Sequence, residues 1–362
     1  MTAFCAKINV ELEVKMKKKI AVLFGGNSTE YEVSLQSAYS VLKHMNKNQY
    51  EIFPIGITRE GEWYHYTGEY SHIEDNTWIN DDPFLFPIIV SQSRLNPSLI
   101  QFSGENYERV QIDLAFPVLH GKNGEDGTVQ GLFELAGIPV VGCDMLSSAL
   151  CMDKDRAHMV VQAMGIAVPK GIAFQSFEQE EALLNIDKRL MYPMFVKPIR
   201  SGSSFGITKI NEKKELQKAV EHAFQYDNEV IVEEAIDGFE VGCAVLGKDE
   251  LMVGRVDEIE LSGGFFDFTE KYTLQTSKIY MPARIDKETE KRIQETAKRI
   301  YRALNCSGFA RVDMFLTKKN EIIFNEVNTI PGFTTHSRYP NMMKGIGLSF
   351  GDMLDKLIEL YE

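Results

Sequence analysis

Asp313, Glu326 and Asn328, with Arg311 beside them, are side chains of the types that hold a hard cation next to an anion. They fall in two apolar runs, Gly308–Leu316 and Glu321–Asn328, separated by the polar stretch Thr317–Asn320. That pattern predicts a β-hairpin. Alternate residues of a strand share a face, so Arg311 goes with Asp313, and Phe324 with Glu326 and Asn328. A symmetric closure sets Arg311 across from Glu326 and Asp313 across from Phe324, with Arg311, Asp313, Glu326 and Asn328 on one surface. Two carboxylates and an amide oxygen suit magnesium or manganese, ions that leave room for water and phosphate. The second run continues into Asn328-Thr-Ile-Pro-Gly332, a rigid turn that can bring backbone N–H groups to a ligand.

The anion side is readable in the same way. Lys197 closes a strand beginning at Met194, Ser201–Gly206 is a Ser/Gly loop, and a further strand runs through Ile210. Strand–loop–strand is not a Walker loop, which opens a helix. Its N–H groups and hydroxyls still suit phosphate. Asp144 and Asp153 cap helices. Ala157, Val160, Val161 and Met164 recur at helical spacing, and Gly165 fits the C-terminal cap. Lys154 at the start of that helix is unfavourable for the dipole, and reads either as an exposed lysine or as a phosphate contact.

The elements that must position these groups follow from the pattern. A buried strand Lys18–Phe24, the turn Gly25–Ser28 and an amphipathic helix Glu32–Met45 place Glu30 beside a glycine turn. Strands near Ile52–Thr58 and Ile112–Pro117 bracket residues 60–105, which show no readable motif. His120 and a glycine-rich loop follow the second of these, where open α/β sheets bind ligands; a helix Val129–Ala136 completes one α/β lobe, Lys18–Gly142. Glu229–Ile236 is a strand ending in Glu233 and Glu234. A long aromatic loop, Gly263–Tyr272, lies between strands Met252–Glu260 and Lys278–Met281 and reads as a lid. Lys287–Leu304 and Ser349–Tyr361 are amphipathic packing helices.

Arg311-Val-Asp313, Asn325-Glu326-Val-Asn328 and Pro331-Gly332-Phe333 resemble the metal and substrate motifs of D-alanine–D-alanine ligases, of the ATP-grasp superfamily. The likeness runs from about Lys18 to Glu362. It implies an ATP-grasp fold of class α/β, with a Rossmann-like N-terminal lobe and two α+β lobes sandwiching ATP. The divisions expected are 1–15 (an N-terminal extension kept out of the fold), 16–143 (N-terminal, substrate-binding), 144–236 (central) and 237–362 (C-terminal, with metal site and lid). It implies ATP with two Mg2+ or Mn2+ ions at Asp313, Glu326 and Asn328. Lys154, Lys197, Ser204 and Lys271 would meet phosphates, with Phe324 and Asn325 beside them. Glu233 would accept from the adenine amino group, and backbone at Glu234, Ala235 and Ile236 would read the ring edge. Family members often carry Lys, Trp and Leu at these last three positions, which puts side-chain packing on adenine in doubt. Glu240 would take the ribose. Glu30 would meet the first D-alanine's ammonium, His120 its carboxylate, and Ser203 and Tyr272 would complete that network; Arg311 and the Gly332 N–H would hold the tetrahedral oxyanion. Tyr272, where ester-forming relatives tend to have His, implies amide formation.

The second-substrate residues depart from the usual His-Ser-Leu. Here they are His336-Ser337-Arg338, resembling vancomycin-resistance ligases. An arginine where a methyl would pack implies an incoming group with an acceptor, and D-serine's hydroxyl fits; Ser337, Phe266 and Asp257 would shape the same pocket. The expected activity is therefore D-alanine–D-serine ligation in peptidoglycan precursor synthesis. Its nearest rival is a housekeeping D-alanine–D-alanine ligase with Arg338 merely salt-bridged. A net charge of -13 argues against nucleic acid. Five scattered cysteines without a CxxC pair argue against zinc and a disulfide framework, and fit a cytoplasmic protein. No apolar run spans a membrane. A homodimer is implied by the family.

Overall fold

The computed structural model describes residues 17–261 and 277–361. Three sheets carry the chain. The first comprises β1 (Lys18–Gly25), β2 (Tyr50–Ile57), β3 (Trp63–Tyr66), β4 (Leu85–Ser91), β5 (Ser98–Ser103), β6 (Asn106–Gln111) and β7 (Leu114–Pro117), in the order β6-β5-β4-β3-β2-β1-β7. β1 pairs in parallel with β2 and β7, the buried centre expected of an α/β lobe, and helix Tyr31–His44 crosses over from β1. The stretch 60–105 holds β3, β4, β5 and a short helix, Tyr70–Glu74, which extend the sheet by antiparallel pairing. These strands are short and mostly half-exposed, so no apolar alternation marked them.

The second sheet has β8 (Gly171–Gln175), β9 (Met194–Pro198), β10 (Thr208–Ile210) and β11 (Glu229–Glu234), ordered β10-β9-β11-β8. The third has β12 (Gly238–Gly247), β13 (Leu251–Leu261), β14 (Ser277–Tyr280), β15 (Gly308–Thr317) and β16 (Ile322–Asn328), ordered β14-β13-β12-β15-β16. One face of this third sheet is core: Val241, Cys243, Val245, Val256, Val312 and Met314 pack on helix Lys287–Ala303 and on Ala157 and Val161 of helix Lys154–Ala163. The helix carrying Lys154 therefore packs on the C-terminal sheet, across the division expected between 236 and 237. Asp144 and Asp153 cap as the sequence suggests, accepting from the N–H groups of Ser147 and Arg156.

The hairpin β15–β16 forms, but not in symmetric register. Arg311 lies opposite Asn328 and Asp313 opposite Glu326, while Met314 pairs with Phe324. Asn325 is the extra residue of a β-bulge, which reverses the side-chain alternation. Phe324 thus turns into the core with Met314, away from Glu326 and Asn328. Hydrophobic pattern reports which residues are apolar, not where the ladder gains a residue.

Candidate active site

The polar face of the third sheet opens on a cavity of about 990 Å3 that also meets the first lobe and the second sheet. Arg311 grips Asp313 through two nitrogens, Nε at 2.8 Å from Oδ1 and Nη2 at 2.7 Å from Oδ2; Asn328 Nδ2 donates to Asp313 Oδ2 at 2.9 Å. Asp313 is buried, while Glu326 faces the cavity with Lys154 Nζ 3.8 Å away. Lys154 Nζ also donates to the Ser201 carbonyl at 3.0 Å, tying the helix to the Ser/Gly loop.

Arg338 is held from three sides. Nε and Nη2 donate to Asp257 at 2.7 and 2.8 Å, Nη1 donates to Glu240 Oε1 at 3.0 Å, and Nη2 lies 3.5 Å from Asp313 Oδ1. Gly242 makes this packing feasible. A Cβ there would press on Arg338 Nη2 and sit 2.7 Å from Asp257 Oδ1, and the Gly242 N–H donates to that same oxygen at 3.0 Å. Asp257 is fully buried beneath Arg338 and does not line the cavity, so it reaches the cavity only through the guanidinium. Glu240 lines the cavity with Oε1 on Arg338.

At the nucleotide end, Glu233 is buried with Lys197 Nζ 2.6 Å from Oε2 and His158 Nδ1 3.2 Å from Oε1. Burial works against its charge, but Lys197 and His158 outweigh it and hold the carboxyl well below the usual range. Oε1 has the His158 ring nitrogen as its one neighbour among the described residues and keeps a lone pair for a ligand N–H. The N–H groups of Glu234 and Ala235 are spent on the carbonyls of Lys170 and Pro193, and Ala235 does not line the cavity, whereas Ile236 does. Phe324, in the core, does not reach it either; Asn325 does.

At the other end, Glu30 sits at the N-terminus of helix Tyr31–His44 and accepts from Ser203 Oγ. Gly121 and Gly202 cup its carboxylate, and a Cβ on either would meet Oε2 at 2.5 or 2.7 Å. Ser203 and Ser204 both have positive φ, 50° and 60°, a conformation serine adopts at a cost and one that turns successive N–H groups to one side. His120 is a brace. Its Nδ1 donates to the Ile330 carbonyl at 2.8 Å, Nε2 lies 3.0 Å from Ser37 Oγ, and that oxygen accepts from the Phe333 N–H at 3.2 Å. Both ring nitrogens have protein partners, so His120 fixes the Ile330–Phe333 turn while lining the cavity. Glu125 completes the brace, accepting from the N–H groups of Gly121 and Ile330, each at 2.9 Å. The turn so held presents Gly332 to the cavity, its N–H without a partner among the described residues. Ser337 Oγ accepts from the Thr334 N–H at 3.0 Å.

Phe266, Lys271 and Tyr272 lie outside the described residues. The sequence reading missed Gly242, Glu125 and His158. His158 stands four residues after Lys154, one helical turn along the same face, which is the signal that could have found it.

Asp313, Glu326 and Asn328 fit magnesium or manganese in donor type. Around them Arg311, Arg338 and Lys154 face Asp313, Asp257, Glu240 and Glu326, one carboxylate more than cations. Among the described residues no group of three His, Cys, Asp or Glu side chains could hold a metal alone, so a cation here would share its shell with phosphate.

Models of the two halves of one family match the chain: D-ala D-ala ligase N-terminus over residues 19–143 and D-ala D-ala ligase C-terminus over 160–359. The VanG D-Ala:D-Ser ligase from Enterococcus faecalis superposes with a TM-score of 0.91 at 68% identity, covering 96% of this chain and 100% of that one. The Enterococcus faecalis vancomycin B-type resistance protein VanB is 46% identical, over 95% of this chain and 98% of its own. A D-alanine–D-alanine ligase of Caldicellulosiruptor bescii is 45% identical, over 95% of both.

Proposed function

The chain belongs to the D-alanine–D-alanine ligase family, of ATP-grasp fold and ATP-dependent activity, and from that premise we propose that it joins D-alanine to D-serine. The observation that carries this is Arg338: it lines the cavity beside the Gly332 turn, and Nη1 carries a second N–H beyond the one given to Glu240. A fixed donor there suits a side-chain hydroxyl. It would leave a D-alanine methyl facing an unpaired N–H, and sites built to bond a hydroxyl discriminate strongly against its loss. The 68% identity to a D-Ala:D-Ser ligase supports the same reading.

The residues divide the work. Glu30, cupped by Gly121 and Gly202, takes the first amino acid's ammonium. The carboxylate of that D-alanine attacks the γ-phosphorus of ATP and ADP departs with the bridging oxygen; Glu233 Oε1 accepts from the adenine amino group, and Lys154, Lys197 and the Ser203–Ser204 N–H groups hold the phosphates. The acyl phosphate formed is attacked by the second amino acid's amine, delivered beside Arg338. Arg311 and the Gly332 N–H steady the oxyanion, and its collapse releases phosphate and the dipeptide. Asp313, Glu326 and Asn328 would hold magnesium or manganese, which neutralises phosphate charge when bound.

The test is product identification by mass from ATP with an equal mixture of D-alanine and D-serine. Predominant D-Ala–D-Ser supports the reading. Predominant D-Ala–D-Ala refutes it in favour of the housekeeping activity, in which Arg338 serves only its ion pairs. We also propose a cytoplasmic homodimer. The four buried free thiols Cys143, Cys151, Cys243 and Cys306 fit a reducing compartment, no described helix is long and apolar enough to cross a membrane, and exposed Leu135, Met145 and Leu146 offer apolar area to a second copy. Sedimentation velocity tests the dimer.

A further inference from the structure

His158 has no part in the scheme above, yet it is buried between Glu233, which does, and the residue before Glu326. Nδ1 lies 3.2 Å from Glu233 Oε1, Nε2 lies 2.7 Å from the carbonyl of Asn325, and the ring packs edge-on against Phe324, centroids 5.5 Å apart. A histidine that merely fills a core needs one donor and one acceptor. Here both nitrogens face groups that accept: an ionised carboxylate and a carbonyl. The two acceptors belong to different sheets. Glu233 is on β11, and Asn325 is the bulged residue of β16, immediately before Glu326.

We propose that His158 is a positioning residue that clamps the adenine-side acid Glu233 to the bulge of the cation-bearing strand, so that the base and the phosphates of ATP are held in one register. Lys197 pulls Glu233 from Oε2, and His158 faces Oε1; between them the carboxylate is fixed with one lone pair of Oε1 toward the cavity. Such an acid selects adenine, whose amino group donates, over guanine, whose carbonyl at the same edge would meet it as a second acceptor. The bulge, pinned through Asn325, turns Glu326 rather than Phe324 to the cavity. The inference rests on the reading of this cavity as the ATP site.

The test is steady-state phosphate release with D-alanine and D-serine in wild type, His158→Ala and His158→Gln, varying ATP, GTP and Mg2+. His158→Ala is expected to raise the KM for ATP about tenfold, the lower end for loss of a supporting partner. It also narrows the preference for ATP over GTP and raises the half-saturating Mg2+, while the KM for D-alanine changes less than about twofold. His158→Gln, which keeps one donor, falls between. An unchanged ATP/GTP ratio in a folded His158→Ala protein overturns the proposal, as does an equal loss with both nucleotides, the mark of a merely structural histidine. Wild type inactive on any D-amino acid, or Glu233→Gln with an unaltered KM for ATP, overturns the site reading itself and the proposal with it. Should neither His158 variant fold, the His158 ring 15N resonances of wild type decide: a shift on adding ADP supports the clamp, and unmoved resonances overturn it.

Discussion

Replacing Arg338 by methionine tests whether its ion pairs are structural as well as functional. The change removes the guanidinium and keeps most of the stem. It leaves Asp257 fully buried, with only the Gly242 N–H still donating to it among the described residues, while Asp313 keeps Arg311. Breaking a buried pair by removing one partner costs about 3–5 kcal/mol, because the remaining charge has no counterion. At roughly 2 °C per kcal/mol for a chain of this size, the melting temperature should fall by about 6–10 °C. Asp257→Asn alone should cost less, because Arg338 retains Glu240 and the amide oxygen can still accept from Gly242. The double variant should then sit about 2–3 kcal/mol above the sum of the singles, the coupling expected of contacting charges. The assay is urea denaturation of all four proteins, read with D-Ser:D-Ala product ratios on the same samples. If Arg338→Met shifts stability by less than about 0.5 kcal/mol, the network behaves as an exposed pair would and the argument fails.

Gly242→Ala should disturb the same network from below: its Cβ would press on Arg338 and Asp257, so a loss of about 1–3 kcal/mol is expected in thermal melts, with D-serine selectivity reduced. His120 is held neutral, since burial pushes its pKa below the ordinary 6.5 despite the Glu30 charge. The unfolded chain takes up that proton first, so the stability is present above about pH 6.5 and is lost as the pH falls below it, by up to about 1.4 kcal/mol per unit. His120→Gln should be less stable at pH 7.5 and show a flatter acid limb. A chelator should abolish D-amino-acid-dependent phosphate release, with Mg2+ or Mn2+ restoring it in wild type; Glu326→Gln should need more metal for half-activity, and indifference to chelation would remove the cation from the scheme.

The chemistry of this site was legible because its residues come in short runs. Arg311-Val-Asp313 and Glu326-Val-Asn328 alternate as a strand face must, and Lys197 with Ser201–Gly206 reads as strand and loop. What stayed hidden depends on contacts far along the chain. The bulge at Asn325 is set by packing of Phe324 into the core, so no local pattern gives it. Asp257 and Glu240 are ordinary strand acids until Arg338 arrives from 81 and 98 residues away. His120 carried a real signal, its place after a buried strand, but only the Ser37 and Ile330 contacts show that both nitrogens are used. The strands in 60–105 were missed because they are short and sit at the sheet's outer side.

The core beneath helix Tyr31–His44 is finished by distant residues: Leu35, Ala38, Val41 and Leu42 share a cluster with Met342, Met353, Leu354, Leu357 and Ile358, and the Gly142 N–H donates to Tyr361 Oη at 2.8 Å. The helix is made early on the ribosome and packs on β1 and helix Tyr70–Glu74, but the part of its apolar stripe that meets helix Phe350–Glu359 has no cover until that helix is synthesised. Loop closure over some 300 residues is slow, and the exposed stripe is sticky in the interval. During that interval the carboxylate of Glu30, set by the same helix, is not yet in place. Truncations that spare every site residue but remove Phe350–Glu359 should therefore give aggregates instead of a weakened enzyme, and the nascent chain is a natural client for chaperones that shield apolar helices.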